Sequence, residues 1–276
     1  MCLRKVAAQE VEVAAVDFDQ EVHDMDDVMV RAVGLHKVFK DKKRGVVHAV
    51  NDLSFEAKAG EIFAILGPNG AGKTTTLRML STILRPTEGY AVVAGFDVMK
   101  EPEKVRFRIG YLPSESGLYH RLTPKELVMF FGRVSGLDSH EVKKRMDELF
   151  ESLGITEFAN TKIEKLSTGM KQKVAVARTI IHNPPVLILD EPTQGLDVVA
   201  SRVVENFILN AKREGKCVIL STHIMEEAEY LADKILVINK GTKRALGTMA
   251  DLRKLTGKER LREIFLELIS NSGEEQ

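Results

Sequence analysis

The chain has no excess of either charge. Its 40 Lys and Arg side chains are balanced by 40 Asp and Glu, so no bulk basic field draws it to nucleic acid, and any polyanion it binds has to be held locally. Cysteine is nearly absent: Cys2 and Cys217 are the only two, with neither the number nor the spacing of a disulfide framework or a zinc site, which suits a reducing cytoplasm. Long apolar runs are missing as well. Nothing approaches the roughly 18 uninterrupted apolar residues of a spanning helix, so a membrane, if one matters, has to come from another chain. Arg4 and Lys5 lead into an alternating acidic stretch, which is not the pattern of a secretory signal.

What is present is the material of an ordinary globular protein. At 276 residues, 44% hydrophobic and 29% charged, the chain can bury a sizeable core as one domain with an insertion or as two small ones. Residues 1–28 carry eight acidic side chains against Arg4 and Lys5, an expected flexible extension whose valines could let part of it pair as an edge strand. Two strand-like runs between Val28 and Phe55 flank the basic turn Lys40 to Gly45 and predict an antiparallel hairpin with a solvated turn.

Further on, Leu77, Leu80, Ile83 and Leu84 have helical spacing before Pro86. Short strands are expected over 90–94 and 109–112. Thr123-Pro124-Lys125-Glu126 has the form of a capping box and predicts a helix to about Val134. A second helix, about 139–153, ends at Gly154. Strand and helix then alternate: the continuously apolar Val186 to Leu189, a helix to Glu214, strand Cys217 to Leu220, a helix from Ile224 to Ala232, and strand Ile235 to Ile238. Such alternation specifies a parallel sheet covered by helices. Leu261, Ile264, Phe265, Leu268 and Ile269 form one stripe of a C-terminal helix that should dock on the body.

Three places carry chemistry. Gly67-Pro68-Asn69-Gly70-Ala71-Gly72-Lys73-Thr74 fits G-x-x-x-x-G-K-[ST] between an expected strand and an expected helix. Glycine lets the backbone wrap a phosphate with its N–H groups turned inward, and the helix N-terminus adds positive potential at the same spot. Lys73 can reach the outer phosphates of a nucleoside triphosphate, the Thr74 hydroxyl can bind Mg²⁺, and Thr75 completes the set read as ATP-binding. A glycine-rich turn with no such duty would not need Lys and Thr at those places. Asp190, ending the strand from Val186, can hold Mg²⁺ directly or through water, and Glu191 beside it is placed to take a proton from attacking water. His223 follows the strand from Cys217; lone histidines at strand ends are usually structural, but ligands gather at the carboxyl ends of parallel strands, which favours a γ-phosphate contact.

Leu166-Ser167-Thr168-Gly169-Met170, about twenty residues ahead of Asp190, is where the chain resembles the ATP-binding subunits of ABC transporters, over about residues 30–245. In that family the segment is the signature, usually Leu-Ser-Gly-Gly-Gln; Thr168 and Met170 depart from it, while Ser167 and Gly169 keep the positions that face phosphate. The resemblance implies an α/β fold, a P-loop NTPase core with a parallel sheet, an antiparallel β subdomain and an inserted helical subdomain. It implies an acidic extension over 1–28, an ATP-binding domain over 29–245 with the insertion at about 114–167, and a helical tail over 246–276. It makes Phe39 the aromatic that stacks on adenine, although a core Phe on an edge strand fits that position too, and Gly195-Leu196-Asp197 the loop that meets a partner subunit. Where the family has a glutamine that touches Mg²⁺ and the attacking water, this chain has Ser114, too short to copy it without a bridging water.

The runs 112–124 and 165–173 look most like the sodium-export branch of the family. The resemblance therefore implies an ATPase with Lys73, Glu191 and His223 catalytic, Mg²⁺ held by Thr74, Asp190 and Ser114, and ATP enclosed between two copies placed head to tail. It implies an integral-membrane permease subunit as partner, a place on the cytoplasmic face of the membrane, and no nucleic-acid partner. A soluble ABC ATPase, or a nucleotide sensor slowed by Ser114, stays open as an alternative without a transport role. Leu118, Tyr119, Phe130 and Phe131 are the insertion residues expected to meet the permease, with the two phenylalanines, taken singly, better suited to packing inside the insertion.

Overall fold

The structure is a computed structural model that describes residues 27–41, 45–115 and 117–270. The acidic extension up to Asp26, and Lys42 to Arg44 of the basic turn, lie outside the described residues.

Two sheets frame the molecule. Strands β1 (Val28–Asp41) and β2 (Gly45–Lys58) pair antiparallel as the expected hairpin, and β4 (Glu88–Val93) and β5 (Phe96–Asp97) extend them in the order β2-β1-β4-β5. The second sheet joins β3 (Ile62–Leu66), β6 (Ile109–Leu112), β7 (Val186–Asp190), β8 (Cys217–Thr222), β9 (Lys234–Asn239) and β10 (Thr242–Gly247) in the order β10-β9-β3-β8-β7-β6. All its pairings are parallel except β10 with β9.

The central strands are apolar at every position because both of their faces are buried. In β3, Ile62, Ala64 and Leu66 enter a core shared with the helices, while Phe63 and Ile65 enter a second core shared with the antiparallel sheet and α1 (Lys73–Leu80). β7 and β8 divide in the same way, with Leu187, Leu189, Val218 and Leu220 on the helical side and Val186, Ile188, Cys217 and Ile219 on the other.

The helical core is built by α3 (Pro124–Val134), α4 (Ser139–Ser152), α5 (Thr168–Ile180), α6 (Val198–Arg213), α7 (Met225–Leu231), α8 (Met249–Thr256) and α9 (Leu261–Ser270). The capping box at Thr123 is formed in full, with Glu126 returning a bond to the Thr123 backbone, and Asp138 makes a second one with Glu141. α9 buries Leu261, Ile264 and Phe265 against the body, as its stripe predicts.

Several expectations are corrected. The helix after the glycine-rich loop ends at Leu80 and not near Leu84: Ser81 turns its hydroxyl back onto the Leu77 carbonyl, Thr82 takes a left-handed φ of 63°, and Ile83 is left exposed. α2 (Pro102–Arg108), β10 and α8 carry no expectation from the sequence; they bury only Val105, Ala245 and Leu252 respectively. Leu118, expected on the surface, is 7% exposed and belongs to the helical core.

Candidate active site

The parallel sheet delivers the site. β8 lies between β3 and β7, so the segments leaving the carboxyl ends of these three strands emerge side by side: the loop from Gly67, the pair Asp190-Glu191, and His223.

The loop is shaped for close backbone approach. A Cβ on Gly67 would come within 2.5 Å of the Ile238 carbonyl, and one on Gly72, at a φ of 106°, within 2.4 Å of the Ala49 carbonyl in β2. Gly72 caps α1 without any side chain, leaving the first-turn N–H groups to an incoming anion. Lys73 begins the helix, is 4% exposed, and donates through Nζ to the carbonyls of Gly67 (2.9 Å) and Pro68 (3.3 Å). The same Nζ lies 3.1 Å from Glu191 Oε1.

Asp190 is almost fully buried at the end of β7. Its Oδ1 accepts from Ser221 Oγ (2.6 Å) and from Thr74 Oγ1 (3.1 Å), while its Oδ2 is buried without a partner. A buried carboxylate oxygen left open beside a threonine hydroxyl is the donor set a hard cation takes. Among the described residues no cluster of three His, Cys, Asp or Glu side chains could hold a metal alone. A cation here draws its other ligands from water or from the phosphates it accompanies.

Glu191 has a left-handed φ of 50°, a conformation costing about 1–3 kcal/mol that surroundings must enforce. Three anchors do so. Ser221 takes the Glu191 N–H on both its carbonyl and its hydroxyl (3.1 Å each), Gln172 of α5 donates to the Pro192 carbonyl (2.7 Å), and Thr193 donates to Glu227 (2.7 Å). The Glu191 side chain is thus held between Lys73 and His223: Oε1 faces the Lys73 ammonium, and Oε2 lies 3.1 Å from His223 Nδ1 without forming a hydrogen bond to it.

The remaining residues read from the sequence sit elsewhere. Phe39 is exposed on β1 under the Lys37 ammonium (5.2 Å from the ring centre), on the hairpin whose second strand touches Gly72. Asn69 and Gly70 form the exposed tip of the loop, and Thr75 is half-buried in the first turn of α1. Ser114 is exposed beyond the end of β6, and no hydrogen bond joins it to Asp190 or Thr74. Ser167 caps α5, accepting from Met170 N (3.2 Å), with Gly169 packed near Ala200. α5 rests on α3, α4, α6 and β6, and among the described residues no hydrogen bond joins Ser167 or Gly169 to the loop. Sequence reasoning missed Ser221, which bonds both Asp190 and the Glu191 backbone; the only signal for it was a serine at the end of a buried strand.

The ABC transporter family model matches residues 50–194. Over 239 residues the chain is 43% identical to the ABC transporter ATP-binding protein NatA of Bacillus subtilis strain 168, covering 86% of this chain and 97% of that one. It is 39% identical over 224 residues to the linearmycin resistance ATP-binding protein LnrL of the same organism, covering 81% of this chain and 70% of the relative. Among solved structures, an ATP-binding subunit of an ABC transporter superposes with a TM-score of 0.79 at 29% identity, covering 87% of this chain and 99% of that one. An ATP-binding cassette solved as a dimer in a post-hydrolysis state with ADP and Pi gives a TM-score of 0.73 at 27% identity, covering 80% and 98%.

Proposed function

The chain belongs to the ABC transporter family as an ATP-binding and ATP-hydrolysing subunit, and from that premise we propose that two copies close on ATP to drive sodium export through a separate membrane permease. Subunits of this family work with membrane permeases, and no helix among the described residues is long and apolar enough to cross a membrane. We place the subunit against the cytoplasmic face of that permease.

The observation that carries the reading is the arrangement of Glu191. Its carboxylate is aimed by Lys73 on one side and His223 on the other, at the mouth of a loop built for phosphates. In the proposed reaction the loop N–H groups and Lys73 hold the β- and γ-phosphates, so Lys73 exchanges its contacts with Gly67, Pro68 and Glu191 for phosphate oxygens. Glu191, released from Lys73, takes the proton of the attacking water. His223 donates to the γ-phosphate, and Phe39 stacks on the adenine. The open Asp190 Oδ2 and the Thr74 hydroxyl would hold Mg²⁺, which when bound neutralises phosphate charge. Ser114, exposed beyond β6, would contribute to holding it only through a bridging water. Ser167 and Gly169 serve the nucleotide of the opposite copy, with the N-terminus of α5 behind them.

The cargo rests on the likeness of residues 112–124 and 165–173 to the sodium-export branch. Relatives named for linearmycin resistance and Nod factor export stand at 39% identity, so cargo is the part to test first. Membrane vesicles holding the chain with its permease should lose or gain ²²Na⁺ on ATP addition, and the Glu191→Gln pair should not. ATP turnover without sodium movement removes the cargo and leaves the ATPase.

A further inference from the structure

One buried carboxyl near the site has no part in the chemistry above. Glu227 lies in the first turn of α7, five residues beyond the end of β8, and is 6% exposed. Its Oε1 accepts a 2.7 Å hydrogen bond from the buried Thr193 hydroxyl, and its Oε2 is buried with no partner. Burial pushes this carboxyl above its ordinary range, against the opposing pull of the Thr222 and Thr193 hydroxyls and of His223 nearby. A buried group with an oxygen left open is costly to keep, and a side chain that only filled space between α7 and the loop would need no polar atoms.

Its connections say what it does. Thr193 stands two residues after Glu191 in the loop that Gln172 holds from the α5 side. Glu227 stands four residues after His223, on the helix that Ile224 begins after Thr222 takes its N–H. We propose that Glu227 is a positioning residue for ATP hydrolysis: through Thr193 it locks the loop that starts with Glu191 to the helix that follows His223, so that carboxylate and imidazole keep one mutual geometry. The left-handed Glu191 backbone makes the lock necessary, because nothing in that residue's own preferences would hold it there. The proposal rests on the roles given to Glu191 and His223 above.

Steady-state ATP hydrolysis by the full chain tests it, with melting temperature and KM recorded alongside. Thr193→Val keeps the shape and removes the donor; Glu227→Ala removes the acceptor. Each should lower kcat about 10- to 100-fold, the scale of a misplaced catalytic group, with KM for ATP within about twofold. The double variant should be no slower than the slower single, as for two partners in one contact. Glu227→Gln keeps the Oε1 acceptor and should restore most of the rate. Wild-type kcat in both single variants overturns the proposal, as does a loss confined to KM or melting temperature, or a Glu227→Gln as slow as Glu227→Ala. Glu191→Gln, measured in parallel, separates this from the reading beneath it: turnover surviving that change removes Glu191 as the base, whatever Glu227 does.

Discussion

The loop, Asp190, Glu191 and His223 on one side, and Ser167 with Gly169 on the other, are built in opposite ways. The first group hangs from β3, β7 and β8, strands with both faces buried, and its side chains are tied to one another within the chain. The second opens a helix laid over the edge of the sheet, and Ser167 there satisfies only its own helix. A group whose contacts close internally can be aimed in advance, as stabilising charge in a transition state demands. A group left open at a helix N-terminus is set up to receive something from outside. On the reading proposed above, one chain thus divides the labour: chemistry is fixed in the core, and its completion is left to a second copy.

Substitutions can break that contrast from either side. The largest effect should come from the core. Glu191→Gln should slow hydrolysis about 10² to 10⁴-fold, the worth of a positioned base, while a fluorescent ATP analogue still binds; near-normal turnover would show that the carboxylate between Lys73 and His223 is not the base.

Gly169→Asp comes next. A Cβ at that position already meets Ala200 Cβ at 3.0 Å, and the added carboxylate would face phosphate. Hydrolysis should fall about 10² to 10³-fold, yet ATP affinity of the isolated chain should match the unsubstituted one by equilibrium dialysis. A matching loss of affinity would mean that α5 serves its own chain's nucleotide.

The smallest effects belong to exposed residues that bond to neither group. Ser114→Ala should cost only a few-fold in kcat (about 1 kcal/mol, one water-mediated contact), since Ser114 makes no bond to Asp190 or Thr74. Of the expected docking residues Leu118 is buried and Phe131 packs against the helical core, whereas Tyr119 is 59% exposed and Phe130, against the expectation that it packs inside, is 51% exposed. Tyr119→Ala should leave the purified chain's hydrolysis unchanged while weakening co-purification with the permease. Unaltered co-purification would move the docking surface elsewhere.

The parts legible in the sequence are those where one pattern decides the structure. β3, β7 and β8 announce themselves because a strand buried on both faces can hold little but Val, Ile, Leu and Ala, and the glycine-rich loop does so because backbone contacts at 2.4–2.5 Å admit no other residue at Gly67 and Gly72. α3 was legible through its capping box. α2, β10 and α8 were not, because each buries a single apolar side chain and so writes no periodicity. Leu118 misled for a related reason: a lone leucine in a loop says nothing about which way it turns, and here it turns under the helices. Ser221 and Glu227 were silent because their work depends on partners 31 and 34 residues away in the chain, a distance that no local pattern spans.

The claim that the site is completed by a second copy is open to one direct measurement. Analytical ultracentrifugation of Glu191→Gln protein should show monomer without nucleotide and dimer with Mg²⁺ and ATP, and adding Gly169→Asp to the same chain should return it to monomer although ATP still binds. A Glu191→Gln chain that stays monomeric with saturating ATP, or a dimer indifferent to both nucleotide and Gly169→Asp, would contradict the account.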